Sequence, residues 1–416
     1  MKRLLLPALL LTTLTACTAA PAGTLPAAAP TPTPASTPAP TAAPAPADAL
    51  TPEEKIGQLF IIRPDALDLT LPQETINDAK ADGVTMLTDA MRETLQAYPV
   101  GGICQFGKNI TDPEQLAQFN ADLQAASRTP LFIAVDEEGG AVARLANHPA
   151  FDLPQYESAA AVGASGDPAD ACAMGQTIGA YLKEYGFNMD FAPDADVNTN
   201  PDNPIIGTRA FSSDAATAAE MAAGCLELKR RGFTAARLDN PDAAAMICAF
   251  AQGLQEGGVL ATVKHFPGHG DTAEDSHTAL AVTYKTLDEL QACELLPFAA
   301  DTGLHAVMVG HIAAPNVTGD GTPATLSPQL VALIPDAENT LIVTDSLAMD
   351  AITAAYTPGE AAVQALQAGC DVLLMPNSLP EAYAAVLEAV QNGTISEERL
   401  DRSVNKILLY KQQFAS

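Results

Sequence analysis

Two short stretches carry residues able to do acid–base or nucleophilic chemistry. The first is Lys264-His265-Phe266-Pro267-Gly268-His269-Gly270-Asp271-Thr272-Ala273-Glu274-Asp275-Ser276-His277. An apolar run delivers Lys264 and His265, and the Pro and Gly residues after it force an irregular loop. On that loop Asp275 and His277 stand two apart, so the carboxylate can hydrogen-bond the imidazole, fix its tautomer and raise its basicity. Histidine titrates near neutrality, which suits such a pair to general acid–base work. Glu274, on the same loop, is a further proton donor in reserve. The second stretch is Val343-Thr344-Asp345-Ser346-Leu347-Ala348-Met349, where Asp345 ends an apolar run. A carboxylate so placed can serve as a nucleophile.

The elements that position these groups are short apolar runs alternating with Ala-rich stretches of helical period. Eight runs recur: Gln58–Ile62, Gly101–Phe106, Leu131–Asp136, Met189–Pro193, Leu260–Phe266, Ala306–Ile312, Leu341–Ser346 and Asp371–Pro376. Eight strands with intervening helices predict an α/β fold, a (β/α)8 TIM-like barrel forming a single catalytic domain over 49–416. A doubly wound open sheet fits the alternation nearly as well. The polar residues tip the choice, because Asp136, Asp194, Lys264, His265, His311 and Asp345 fall at or near the C-terminal ends of the runs. In a barrel that end is the catalytic face. Two helical segments, near 214–231 and 241–256, precede the fifth run where one is expected.

Composition bounds the partners. The 416 residues are 48% hydrophobic and 17% charged, with 21 basic against 50 acidic side chains and a formal charge of −29. Phosphate backbones repel such a chain, so no nucleic-acid partner is expected. Trp is absent and aromatics are 5%, which argues against an extended stacking platform. Cysteines at 17, 104, 172, 225, 248, 293 and 370 form no CxxC pair, and the last six read as buried thiols. Lys2 and Arg3 precede an apolar run too short to span a bilayer, and Leu14-Thr15-Ala16-Cys17 resembles a bacterial lipobox. Residues 1–16 are therefore read as a lipoprotein signal peptide and Cys17 as the lipidation site, which places the protein outside the cytoplasm, held to a membrane by a lipid anchor. Cleavage leaves 19 basic and 50 acidic residues, a charge of −31. Residues 18–48 hold nine prolines and read, with Cys17, as a linker able to extend roughly 90 Å as polyproline II.

The pattern K-H-F-P-G-H-G-x4-D-S-H over Lys264–His277 resembles glycoside hydrolase family 3, in its β-N-acetylglucosaminidase branch. Separated matches follow in order: Val100–Ile103 with Phe106–Asn109, Asp136–Gly140 with Arg144, Asn188–Pro193 with Asp196, Ile206–Phe211, Ala324–Ser327, and Gly359–Ala362 leading to Ala368–Asp371. The resemblance implies that Asp345 is the nucleophile and His277 the acid/base, oriented by Asp275. It implies that Asp136, Arg144, Arg209, Lys264 and His265 grip the sugar, and that no cofactor or metal takes part, although His265, His269, Asp271 and His277 could pass for zinc ligands. Glycines 268 and 270 are expected to let the loop swing over substrate. Ala141 stands where many members carry Arg.

The activity implied is that of a retaining exo-β-N-acetylglucosaminidase acting on an N-acetylglucosamine-containing glycan or muropeptide. One alternative is a phosphorylase, since a neutral acid/base does not repel phosphate. The other is a non-catalytic sugar-binding lipoprotein, against which Asp345, Asp275 and His277 speak together.

Overall fold

The structure, a computed structural model, describes residues 47–213, 243–273, 279–299 and 306–415. Cys17, the segment 214–231, and Glu274, Asp275 and His277 lie outside the described residues. Consecutive Phe, Ile, Leu and Val residues bury both faces of short parallel strands. These are β1 (Phe60–Ile62), β2 (Gly102–Cys104), β3 (Phe132–Val135), β4 (Met189–Asp190), β5 (Leu260–Phe266), β6 (Ala306–Val309), β7 (Leu341–Thr344) and β8 (Leu373–Leu374). Each pairs in parallel with its neighbour in sequence, and β1 also pairs with β8, Phe60 opposite Leu373. Val343 bridges Val372, and the Thr344 amide donates to Val372 O at 2.9 Å, joining β7 to the β8 segment. The sheet therefore curls into the expected barrel.

The apolar runs outlast the strands. Only Met189 and Asp190 of the fourth run are strand, and the sixth stops at Val309 before a separate short strand at Ile312–Ala313. At the catalytic end, backbone leaves the ladder to form loops while its side chains stay buried.

Helices start where the residues supply caps. Thr51 and Glu54 form a capping box before α1 (Pro52–Gln58), and Asp167 caps α2 (Pro168–Glu184). The second of the two segments expected before β5 is α3 (Ala243–Glu256), which packs on α2. A β-carbon on Gly175 would lie 2.2 Å from Phe250 O, and one on Gly253 2.2 Å from Cys172 O. The two helices thus touch backbone to backbone. Thr357 and Glu360 box the start of α4 (Pro358–Ala368), and Ser396 caps α5 (Glu397–Phe414).

Helix α5 closes the N-terminal end of the barrel. Lys406 Nζ donates to Thr340 O at 3.0 Å and meets Asp371 at 2.7 Å. Lys411, 2% exposed, donates to Gln58 Oε1 at 2.6 Å and sits 5.3 Å from the Phe132 ring centroid. No described helix is long and apolar enough to cross a membrane. Cys104, Cys248 and Cys370 are buried as expected, whereas Cys172 and Cys293 are half-buried.

Candidate active site

The C-terminal ends of the strands surround a cavity of about 260 Å³. Among the side chains lining it are Asp136, Arg144, Arg209, Lys264, His265 and Asp345, six of the eight site residues predicted within the barrel. The other two, Asp275 and His277, are outside the described residues.

Asp136 follows β3, and the chain then forms a hairpin, Glu137–Gly139 against Val142–Ala143. Side-chain alternation along this extended stretch sends Asp136 and Glu138 into the cavity and Glu137 the other way. Glu137 accepts from the Leu145 and Ala146 amides and the Tyr181 hydroxyl, so it holds the hairpin. Glu138, which the sequence offers only within the Asp136–Gly140 match, is central to the wall. Arg209 grips it in a two-pronged contact, Nε and Nη2 each at 2.8 Å, and Lys264 Nζ lies 2.7 Å from it. Lys264 also meets Asp136 at 2.7 Å, and Arg144 Nη2 reaches Asp136 at 3.3 Å.

These pairings decide the charge states. Burial alone raises the Asp136 carboxyl, but Lys264 and Arg144 outweigh it and hold Asp136 well below the usual carboxylate range. Glu138 is likewise pushed up by burial and pulled down further, to about 2, by Arg209 and Lys264. Burial disfavours the Lys264 ammonium, yet its two carboxylates keep it charged. The wall is a set of ionised groups with fixed donors, suited to gripping sugar hydroxyls.

Behind it lies a second layer, built on Asp194 and Asp196, whose partners the spacing alone does not reveal. Asp196 Oδ2 is 2.7 Å from His265 Nδ1, and Asp196 Oδ1 accepts the His269 amide. Burial lowers and Asp196 more than restores the His265 pKa, which ends above its ordinary value. Asp194 stands 3.3 Å from Arg209, and burial with the neighbouring Asp196 pushes its carboxyl up. The spacing Asp194-x-Asp196 after the fourth run was the available signal, and one strand end delivering two acids is how it could have been found.

The structure refines three readings. His311 stands just past the C-terminal end of β6, as expected, and is fully buried, with Nδ1 2.7 Å from Thr325 Oγ1 and Nε2 2.8 Å from Ser346 O. The carbonyl must accept, so Nε2 carries the proton and the ring braces β6 against β7. Glycines 268 and 270 do not mark freedom to swing. Gly268 has φ 127° and a β-carbon there would lie 2.5 Å from Glu294 Cβ; at Gly270 it would lie 1.9 Å from Val197 O. Both are glycine because the turn is packed tightly. Finally, a described His/Asp grouping with metal-like proximity is Asp194, Asp196 and His265, with one ligand atom of each within 4.8 Å of the others; the grouping of His265, His269, Asp271 and His277 includes a residue outside the described ones. Arg209 beside Asp194 already supplies positive charge there.

Asp345 follows β7. Its amide donates to Val309 O at 2.9 Å, and its Oδ1 accepts the Ser346 amide at 2.7 Å, which aims the carboxylate at the cavity it lines. A carboxylate facing a wall of fixed charges suits a site that processes a polar, hydroxyl-bearing substrate.

The model of the glycosyl hydrolase family 3 N-terminal domain matches residues 51–231 and 228–409. The chain belongs to glycosyl hydrolase family 3, in its β-hexosaminidase branch. It is 31% identical over 360 residues to β-hexosaminidase A of Pseudoalteromonas piscicida, covering 79% of this chain and 56% of that protein. It is 32% identical over 325 residues to a β-hexosaminidase of Stenotrophomonas maltophilia (strain K279a), covering 76% and 87%. The solved family 3 β-N-acetylglucosaminidase from Paenibacillus sp. str. FPU-7 superposes with a TM-score of 0.71 at 36% identity, over 88% of this chain and 63% of that one. The family 3 chain thus spans little more than half to nearly nine-tenths of these relatives.

Proposed function

We propose that this family 3 enzyme is a retaining exo-β-N-acetylglucosaminidase that removes terminal β-linked N-acetylglucosamine from peptidoglycan fragments. The observation that carries the reading is Asp345 in one cavity with the ionised wall of Asp136, Glu138, Lys264 and Arg209. Asp345 attacks the anomeric carbon and forms a glycosyl-enzyme, and His277, oriented by Asp275, protonates the leaving oxygen and then activates water. Asp136, Arg144, Arg209, Lys264 and His265 bind the sugar. The enzyme is exported and held to the membrane through lipid on Cys17.

The test is turnover of aryl β-N-acetylglucosaminide against aryl β-glucoside by the full chain, with the former preferred. Asp345→Asn abolishes turnover with the fold intact, and a fluoro-sugar that labels another residue removes Asp345 from its role. His277→Ala slows substrates with poor leaving groups about 10²–10⁴-fold while activated aryl glycosides suffer far less. A sugar 1-phosphate formed only when phosphate is added would instead favour phosphorolysis. Cys17→Ser releases the protein from membranes or blocks its processing.

A further inference from the structure

Two arms of described chain flank residues 274–278, the stretch that includes Asp275 and His277. The entering arm, 268–273, is pinned by Asn203, whose Nδ2 donates to His269 O at 2.8 Å and to Thr272 O at 2.9 Å. The leaving arm begins at Ala279, and its strand Ala281–Val282 pairs in parallel with Ile312–Ala313 beyond β6. The Thr283 amide continues that pairing, donating to Ala313 O at 2.9 Å. Each arm is therefore held by a different part of the barrel rim.

A single cation joins the two. Lys285 Nζ, on the leaving arm, stands 3.2 Å from Asp271 Oδ1 on the entering arm and pairs with Glu294 Oε1. Thr283 Oγ1 adds a long donation to Asp271 Oδ2 at 3.4 Å. Glu294 is 1% exposed, its Cβ packs against the turn at Gly268, and its Oε2 has no partner among the described residues. The buried carboxylate thus depends on Lys285, and it fixes the ammonium beside Asp271 in return. Burial disfavours the Lys285 charge, but Glu294 and Asp271 more than restore it, so its pKa ends above the ordinary value. Asp271, Lys285 and Glu294 all lie outside the described lining of the cavity. Five residues between fixed ends have little slack, so the separation of the arms bounds where a side chain midway can stand.

We infer that Lys285 is a positioning residue for the acid–base step: by tying Asp271 to Glu294 it sets the spacing of the two arms, and with it the reach of His277 towards the leaving oxygen. This rests on the proposed reading of His277 as the acid/base. Lys285 touches neither substrate nor Asp345, and it acts only through the chain that it holds.

The test measures kcat/KM for N,N′-diacetylchitobiose, which has a poor leaving group, and for 4-nitrophenyl β-N-acetylglucosaminide, which has an activated one. The full-length wild type is compared with Lys285→Met, Lys285→Arg and Asp271→Asn. Asp271→Asn cuts the tie between the arms while Lys285 still neutralises Glu294, so it is read even if Lys285→Met folds poorly. Lys285→Met and Asp271→Asn each lower the disaccharide rate about 10- to 100-fold, the cost of a misplaced catalytic group, and leave the activated substrate nearly unchanged. Lys285→Arg recovers most of the loss. Equal losses on both substrates, or none on the disaccharide, overturn the inference. His277→Ala serves as the control: if it too treats the substrates alike, the acid/base reading fails by itself. Hydrogen exchange then still reads the tie. Amides in 279–285 exchange faster in Asp271→Asn at unchanged Tm, and exchange equal to the wild type overturns the inference.

Discussion

Glu138 shows how much one side chain can hold. It is buried, it receives Arg209 through two nitrogens, and it shares Lys264 with Asp136. Removing its charge leaves two desolvated cations with fewer partners, and breaking a buried ion pair in this way costs about 3–5 kcal/mol. Glu138→Gln is therefore expected to lower stability in denaturant titration by that order and to raise KM as the wall loosens. A variant as stable as the wild type would show that solvent already screens the network. Glu137, its neighbour, faces the hairpin backbone, so its amide variant is a stability variant alone.

At the scale of elements, the turn after β5 is set by backbone contact. Gly270→Ala puts a β-carbon against Val197 O, a contact of 1.9 Å that only displacement of backbone relieves. We expect a drop of several degrees in Tm together with loss of activity, because His269, whose backbone N–H donates a hydrogen bond to Asp196 Oδ1, sits on that turn. Retention of both would mean that the turn has slack. The sequence misleads here for a physical reason: a glycine reads as freedom unless the neighbour it must clear is known, and Val197 is 73 residues away. The barrel itself was legible, because strands buried on both faces leave unbroken apolar runs. So were the charges at the strand ends. The partners of Glu138, Asp194 and Asp196 were not, since they depend on which side chains meet across the barrel. His311 is at a strand end as read, and only its contacts show that it braces the next strand instead of lining the cavity.

At the scale of the molecule, the barrel floor holds an ionisable group with a definite effect on stability. Lys411 has Gln58 and the Phe132 ring for partners and, among the described residues, no carboxylate, and burial pushes its pKa down to about 7. In the unfolded chain the value is about 10.4. Between about pH 7 and pH 10 the unfolded state thus holds a proton that the folded state lacks, and stability rises with pH. Below pH 7 both states are protonated and the burial penalty is felt in full. Lys411→Met is expected to be stabilised relative to wild type at pH 6 and to lose that advantage by pH 10. Thermal unfolding of both proteins across this range checks it, and parallel curves would refute it. Titrations elsewhere cancel in the comparison.

The backbone contact between α2 and α3 reaches beyond packing. Each helix leads into a strand, α2 into β4 and α3 into β5, and neither helix can tilt without opening the other, since Gly175 and Gly253 face carbonyls of the opposite helix. The two strand–helix units are then one cooperative block. Under native-state hydrogen exchange, amides in the middle of α2, such as Ile178, and of α3, such as Phe250, should open with one common free energy and the same denaturant dependence. Two separate isotherms would mean that the helices part before either unfolds. If they open together, a fluctuation large enough to expose α2 also unseats β5, and with it Lys264 and His265, so solvent reaches the inner face of this quarter of the barrel in a single event.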